Sequence, residues 1–131
     1  MLQIVFFDNH LMYSEGFVMA FGDQFDIRTV DTGEALFDTL ADRPADMVVI
    51  GVNRCLIKYV DITRQLRSEY PDVKILVIAS NDVTKTVQSM RDIGIDGFTG
   101  KRHAGKAVLE NAIRKVAAGE GYSGELDEYY N

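Results

Sequence analysis

Two stretches of the chain, Met47-Val-Val-Ile-Gly-Val52 and Ile75-Leu-Val-Ile-Ala79, decide its fold class. Both are continuously apolar, which is typical of parallel strands that are covered on both faces of a sheet. Similar β-rich runs occupy residues 2–7, 25–30 and 97–100. The centres of neighbouring runs are about 20–28 residues apart, which leaves room for one helix and two short loops. The sequence therefore predicts an alternation of strands and helices.

The segments between these runs carry helical periodicity. The clearest helix has apolar residues at positions 83, 87, 90 and 93, so that they share one face. Asn81 and Asp82 are its candidate N-caps, and Gly94 is its C-terminal stop. Further helices are predicted over residues 34–40, with Asp31 as the candidate cap, over residues 57–70, and over a last segment that ends at Gly119.

Right-handed crossovers between such units produce a doubly wound (βα)5 fold. This is a three-layer, flavodoxin-like α/β architecture with a five-stranded parallel sheet, and its ligands lie beyond the carboxyl ends of the strands. Residues 1–120 are predicted to form one domain. Residues 121–131 are acidic and lose periodicity, so we interpret them as a tail or as the start of a linker.

Composition narrows the possible functions. The chain has 131 residues, of which 20 are acidic and 14 basic, and its net charge of −6 disfavours DNA binding within these residues. Cys55 is the only cysteine, so an intrachain disulfide and a multi-cysteine zinc site are excluded. Neither a targeting peptide nor a membrane span is recognisable, and we therefore expect a cytoplasmic protein without membrane partners.

The start of the chain resembles a known family. After the first apolar run comes Asp8-Asn-His-Leu-Met-Tyr-Ser-Glu-Gly16, which is similar to the opening of the receiver (CheY-like) domains of response regulators, most closely the LuxR/NarL type. The resemblance continues in order to residue 122. It is carried by Asp31-Thr-Gly-Glu-Ala-Leu36, Arg43-Pro-Ala-Asp46, Pro71-Asp-Val-Lys74, Gly94-Ile-Asp-Gly-Phe98, Lys101 and Val116-Ala-Ala-Gly-Glu-Gly-Tyr122.

The resemblance implies a phosphorylation site, from which this sequence departs. In the family an acidic pair holds Mg²⁺, and an aspartate at the end of the third strand accepts the phosphoryl group. Asp8 supplies the first acid, but Asn9 is neutral, so Mg²⁺ binding is expected to be weak or absent. The phosphoacceptor position falls on Gly51, which has no carboxylate. We therefore expect a degenerate receiver that is not phosphorylated.

The other positions that the family uses for switching are also altered. Only Lys101 matches the family, and we predict that it forms a structural ion pair with Asp8 in place of the phosphorylated arrangement; a solvated lysine without a partner is the alternative. The remaining positions are Ala79 and Ser80, where a hydroxyl is expected, Phe98, where the aromatic residue lacks a phenol, and Cys55, which replaces a proline.

Other kinds of site find weaker support. Asp8 and His10 match part of the Asp-x-His-x-x-Gly motif of cobalamin-binding domains, but Tyr13 stands where that motif has glycine. His10 is better explained as a residue that caps or packs at the first helix. Cys55 and His103 lack a third, orienting residue, so nucleophilic catalysis is disfavoured. The basic residues between positions 101 and 106 fit a solvated face better than a binding patch.

The preferred interpretation is a regulatory domain rather than an enzyme. The resemblance implies a domain that homodimerises through helix surfaces and controls an attached DNA-binding domain, which these 131 residues do not contain. Independence from phosphorylation follows from Gly51. Two alternatives remain: a binding module that accepts a small ligand in an acidic pocket left vacant by Gly51, and a residual enzyme that uses Cys55 or Asp8.

Overall fold

The computed structural model describes residues 1–126, which form one parallel sheet with helices on both faces. The strands are β1 (Gln3–Phe7), β2 (Asp26–Val30), β3 (Met47–Val52), β4 (Lys74–Ala79), β5 (Gly97–Gly100) and β6 (Tyr122–Ser123). The helices are α1 (Leu11–Phe21), α2 (Gly33–Asp42), α3 (Tyr59–Glu69), α4 (Thr84–Ile93) and α5 (Lys106–Ala117), and a 3-10 turn covers Lys101–His103.

The sheet has the order β2-β1-β3-β4-β5-β6, and every neighbouring pair of strands is parallel. This confirms the predicted doubly wound α/β class. The strand order reverses between β1 and β3, so the carboxyl ends of these two strands border the crevice where such folds place their ligands. Within residues 1–126 the sheet has six strands rather than the predicted five, because residues 122–123 pair with β5.

The core lies on both faces of the sheet. All six residues of β3 are buried, which confirms the interpretation of its continuous apolar run. Val48 and Ile50 pack into one cluster with residues of α2, α3 and α4, whereas Met47 and Val49 pack into the other with residues of α1 and α5. This alternation follows from the two-residue period of a strand. Within residues 1–126, no helix is long and apolar enough to cross a membrane.

The predicted helix caps are partly wrong. Thr32 rather than Asp31 caps α2, because its side chain accepts the N–H of Ala35 three residues ahead. Val83 occupies the N-cap position of α4, where neither Asn81 nor Asp82 provides the cap. The backbone explains the second difference: Asp82 has a φ of 63°, so it forms a left-handed turn just before the cap. His10 stands at the N-cap of α1, but its side chain makes no capping hydrogen bond.

The segment after α5 also differs from the expected frayed tail. Residues 122–125 exchange backbone hydrogen bonds with β5 and the residue before it. The domain boundary near residue 120 stays a prediction. The rest of the expected tail, residues 127–131, lies outside the described part of the chain.

Candidate functional site

Three strand ends meet at one edge of the sheet and bring together Asp8, Asn53 and Lys101. Asp8 follows β1, Asn53 follows β3 and Lys101 follows β5, and all of these strands run in the same direction. Because the carboxyl ends of parallel strands share one edge, residues far apart in sequence become neighbours there.

The centre of the site is a buried ion pair. Lys101 Nζ lies 2.9 Å from Asp8 Oδ2, so the predicted pairing of these two residues is present. The Asp8 side chain is fully buried and that of Lys101 is 14% exposed. The ammonium also lies 4.1 Å from the centre of the Tyr13 ring, whose π face attracts a cation. Lys101 is therefore held by a carboxylate and an aromatic ring rather than solvated.

Asn53 links the two charges, a role that the sequence did not reveal. Its side-chain oxygen accepts a hydrogen bond from Lys101 Nζ at 2.9 Å. Its amide nitrogen donates to Asp8 Oδ1 at 2.9 Å and to Asn9 Oδ1 at 2.7 Å. Its position two residues beyond Gly51, at a strand end, was the only available signal. The ion pair is thus part of a connected polar network, as a buried charge requires.

Gly51 is buried in β3, and the space beside it is filled by Asp8. A Cβ atom at position 51 would overlap Asp8 Oδ2 and come within 2.5 Å of Asp8 Cγ. The Asp8 carboxylate therefore lies where a side chain at position 51 would have to be. The space beside Gly51 is therefore occupied by the protein's own side chain, whereas a small ligand at this edge of the sheet stays a prediction.

The residues at this edge do not fit a bound Mg²⁺. Asp8 Oδ2 is paired with Lys101, and Asp8 Oδ1 accepts from the backbone N–H of His10 at 2.7 Å and from Asn53. A hard divalent cation prefers several oxygen ligands, particularly carboxylates. Here the one buried carboxylate already faces an ammonium, and position 51 adds no second one.

The remaining switch positions have contacts of their own. Ser80 Oγ donates to the backbone oxygen of Val52 at 3.0 Å, so its hydroxyl links β4 to β3. Ala79 is buried in the core. Phe98 is also buried, with the guanidinium of Arg91 4.3 Å from its ring centre.

Cys55 lies in the loop between β3 and α3, beside the site. Its thiol is exposed, and Sγ lies 3.3 Å from the hydroxyl oxygen of Tyr59. Burial, followed by this contact, raises the pKa of Tyr59, so the phenol stays neutral and is not a base. The Tyr59 oxygen accepts the backbone N–H of Asn53 at 3.3 Å. Tyr59 therefore supports the loop that carries Asn53.

No protein-family model matches the chain. The chain is 29% identical over 124 residues to the transcriptional regulatory protein DegU of Brevibacillus brevis, which corresponds to 92% of this chain and 52% of that protein. The chain spans about half the length of the curated relatives it matches.

Solved structures agree on the fold. The signal receiver domain of an HD domain-containing protein from Pseudomonas fluorescens Pf-5 superposes with a TM-score of 0.82 at 12% identity, covering 91% of this chain and 88% of that one. A LuxR-family two-component response regulator from Aurantimonas sp. SI85-9A1 gives a TM-score of 0.79 at 18% identity, covering 91% and 86%. The chain is therefore a homologue of response regulators, with the fold of their receiver domains.

Proposed function

We propose that this chain is a receiver-like regulatory domain that works without aspartyl phosphorylation. The observation that carries the proposal is the position of the Asp8 carboxylate, which fills the space beside Gly51 and is paired there with Lys101. A receiver needs an acceptor carboxylate at this point of β3. This chain instead has a closed polar network that leaves neither an acceptor nor room for one.

The Asp8 and Lys101 pair takes the place of the phosphorylated arrangement in this proposal. In the family the lysine contacts the phosphoryl group, whereas here the ammonium faces a resident carboxylate at 2.9 Å. Because both groups are largely buried, the pair is little affected by salt or by solvent screening. The site is then a constant structural element, and regulation acts through the surfaces of the domain.

Phosphorylation is expected to fail under conditions that modify ordinary receivers. Incubation with acetyl phosphate and Mg²⁺, followed by intact-mass spectrometry, should detect no added phosphoryl group, because no carboxylate is available as nucleophile. A receiver domain that retains its acceptor aspartate, treated in the same tube, is the positive control. Modification of this chain that disappears in the Asp8→Asn variant would contradict the proposal.

The output of the domain is proposed to be transcription regulation in the cytoplasm. DegU is a transcriptional regulatory protein, and this chain matches about half of it. The net charge of −6 disfavours DNA contact by this half itself. We therefore assign DNA binding to a domain outside these residues, whose placement this domain controls.

Homodimerisation through α1 and α5 is the proposed means of control. Helix α1 is apolar on its outer face as well, since Leu11, Met12 and Met19 are 69%, 77% and 87% exposed. An apolar groove of about 240 Å³ separates α1 from α5. An exposed apolar patch of this kind is typical of a surface that binds another protein.

Charge complementarity favours a second copy as the occupant of this face. Lys106 on α5 is exposed and lines the groove, and Glu15 on α1 is exposed and acidic. In a two-fold arrangement α1 of one copy packs on α5 of the other, which pairs Glu15 of each copy with Lys106 of the other.

Met19→Glu is expected to convert the dimer to a monomer. The substitution places a charge on the apolar outer face of α1, where burial against a second copy would leave it unpaired. Sedimentation velocity over a concentration series measures the change in mass. Leu56→Glu is the matched control, because Leu56 is 99% exposed but lies in the loop between β3 and α3. Equal effects of the two variants, or a monomeric parent chain, would reject this interface.

A further inference from the structure

The segment after α5, residues 121–126, which we call the docked segment, lies along the outer edge of β5. An uncovered sheet edge presents unpaired N–H and C=O groups, and proteins cover or disrupt such edges. The docked segment covers this one in parallel register. Its backbone hydrogen bonds run from Tyr122 N to Asp96 O at 3.2 Å, from Gly124 N to Phe98 O at 2.8 Å, and from Gly100 N to Glu125 O at 2.6 Å.

Glycines make this docking possible. Gly119 and Gly121 have φ values of 81° and 76°, a left-handed conformation that lets the chain reverse after α5. Gly124 lies so close to β5 that a Cβ atom there would come within 2.6 Å of Thr99 Oγ1 and 2.8 Å of Thr99 Cβ. The close approach at Gly124 therefore depends on the absence of a side chain.

Side chains of the docked segment reach both faces of the sheet. Tyr122 packs against the cluster that contains α1 and α5, and Leu126 packs against the cluster on the opposite face. Glu125 Oε2 lies 3.6 Å from His103 Nε2, but both side chains are largely exposed, so this contact contributes little. Docking thus rests mainly on the backbone hydrogen bonds and on these two apolar contacts.

One end of the docked segment is tied to the site. The carbonyl of Glu125 accepts the N–H of Gly100, and the next residue is Lys101, whose ammonium pairs with Asp8. Any shift of Gly100 that follows release of the segment moves the backbone that positions Lys101. Lys101 also begins the 3-10 turn that covers Lys101–His103.

We propose that the docked segment is a releasable sixth strand whose attachment to β5 is coupled to the Asp8 and Lys101 ion pair. Because coupling between two equilibria is reciprocal, release of the segment weakens the pair, and breaking the pair favours release. This coupling concerns residues 97–126 and the site only, so it would hold whether or not the chain regulates transcription.

Gly124→Ala is the direct test, made on the full chain by hydrogen exchange. We expect the amides of Tyr122 and Gly100 to exchange about tenfold faster or more, while amides of β3 stay slow, since β6 is a short edge strand. Labelling of Lys101 by an amine-acylating reagent should increase in the same variant. Gly105→Ala is the matched control, because nothing lies within 4 Å of a Cβ atom at Gly105.

The reverse arm uses Asp8→Asn, which removes the charge with little change in volume. Faster exchange at Tyr122 and Gly100, with slow exchange retained in β3, is the expected result. Unchanged exchange of these two amides in Gly124→Ala would overturn the docking. Two outcomes would overturn the coupling. One is faster exchange in Gly124→Ala without increased labelling of Lys101, and the other is unchanged exchange of the Tyr122 and Gly100 amides in Asp8→Asn.

Discussion

Lys101→Ala is expected to lower the free energy of unfolding by about 3–5 kcal/mol, the usual effect of removing one partner from a buried ion pair. Asp8 is fully buried, and its Oδ2 would lose the ammonium 2.9 Å away. Asn53 would also lose the donor to its side-chain oxygen. For a domain of this size the loss corresponds to a fall in Tm of roughly 10–20 °C. Urea and thermal unfolding measure both quantities.

Two comparisons separate the buried pair from a general effect of charge removal. Arg64→Ala breaks the ion pair between Arg64 and Asp61, whose side chains are 65% and 67% exposed, respectively. This substitution should change the free energy of unfolding by no more than about 0.5 kcal/mol. The double variant Asp8→Asn with Lys101→Met should recover much of the loss, since neither buried charge remains. If Lys101→Ala lowers the free energy of unfolding by no more than Arg64→Ala does, the ion pair of Lys101 does not stabilise the site.

Gly51→Asp, which restores a carboxylate at the acceptor position, is expected to destabilise the domain by about 3 kcal/mol or more rather than to restore phosphorylation. The new Cβ atom would overlap Asp8 Oδ2, so the Asp8 side chain would have to move away from Lys101. The added charge would also stand beside the buried charge of Asp8. Chemical denaturation and intact-mass analysis after treatment with acetyl phosphate and Mg²⁺ measure the two results.

Smaller substitutions distinguish volume from charge at this position. Gly51→Ala adds the overlapping Cβ atom without a charge and should lower the free energy of unfolding by about 1–3 kcal/mol. In Gly105→Ala the new Cβ atom would have no neighbouring atom within 4 Å, so the free energy of unfolding should stay within about 1 kcal/mol of that of the parent chain. A Gly51→Asp variant that is as stable as the parent chain and accepts a phosphoryl group would show that Asp8 does not block the site.

Much of the fold was predictable because its signals are local. The continuous apolar runs of β3 and β4 indicated buried parallel strands, and both strands lie in the centre of the sheet. The caps were harder, since neighbouring residues such as Asp31 and Thr32 have similar capping ability. Only the backbone geometry places the Thr32 hydroxyl 3.1 Å from the N–H of Ala35.

Residues 121–126 illustrate a different obstacle. Their sequence has two glycines and no strand period, so it resembled a tail. Tyr122 and Ser123 nevertheless form a strand, because the edge of β5 offers backbone partners and because Gly124 permits close approach to Thr99. Pairing of this kind depends on a distant segment, and local residue preferences do not contain it.

The amino-acid sequence is sufficient to establish a parallel α/β sheet, an acidic domain, a lysine at position 101 and the absence of a carboxylate at position 51. These properties belong to single residues or to short periodic runs. The three-dimensional arrangement is needed to see that Asp8 fills the space at Gly51, that Asn53 joins both charges, and that residues 121–126 attach beside Lys101. The physical reason is that these are distances between the ends of different strands, which sheet topology sets and sequence spacing does not.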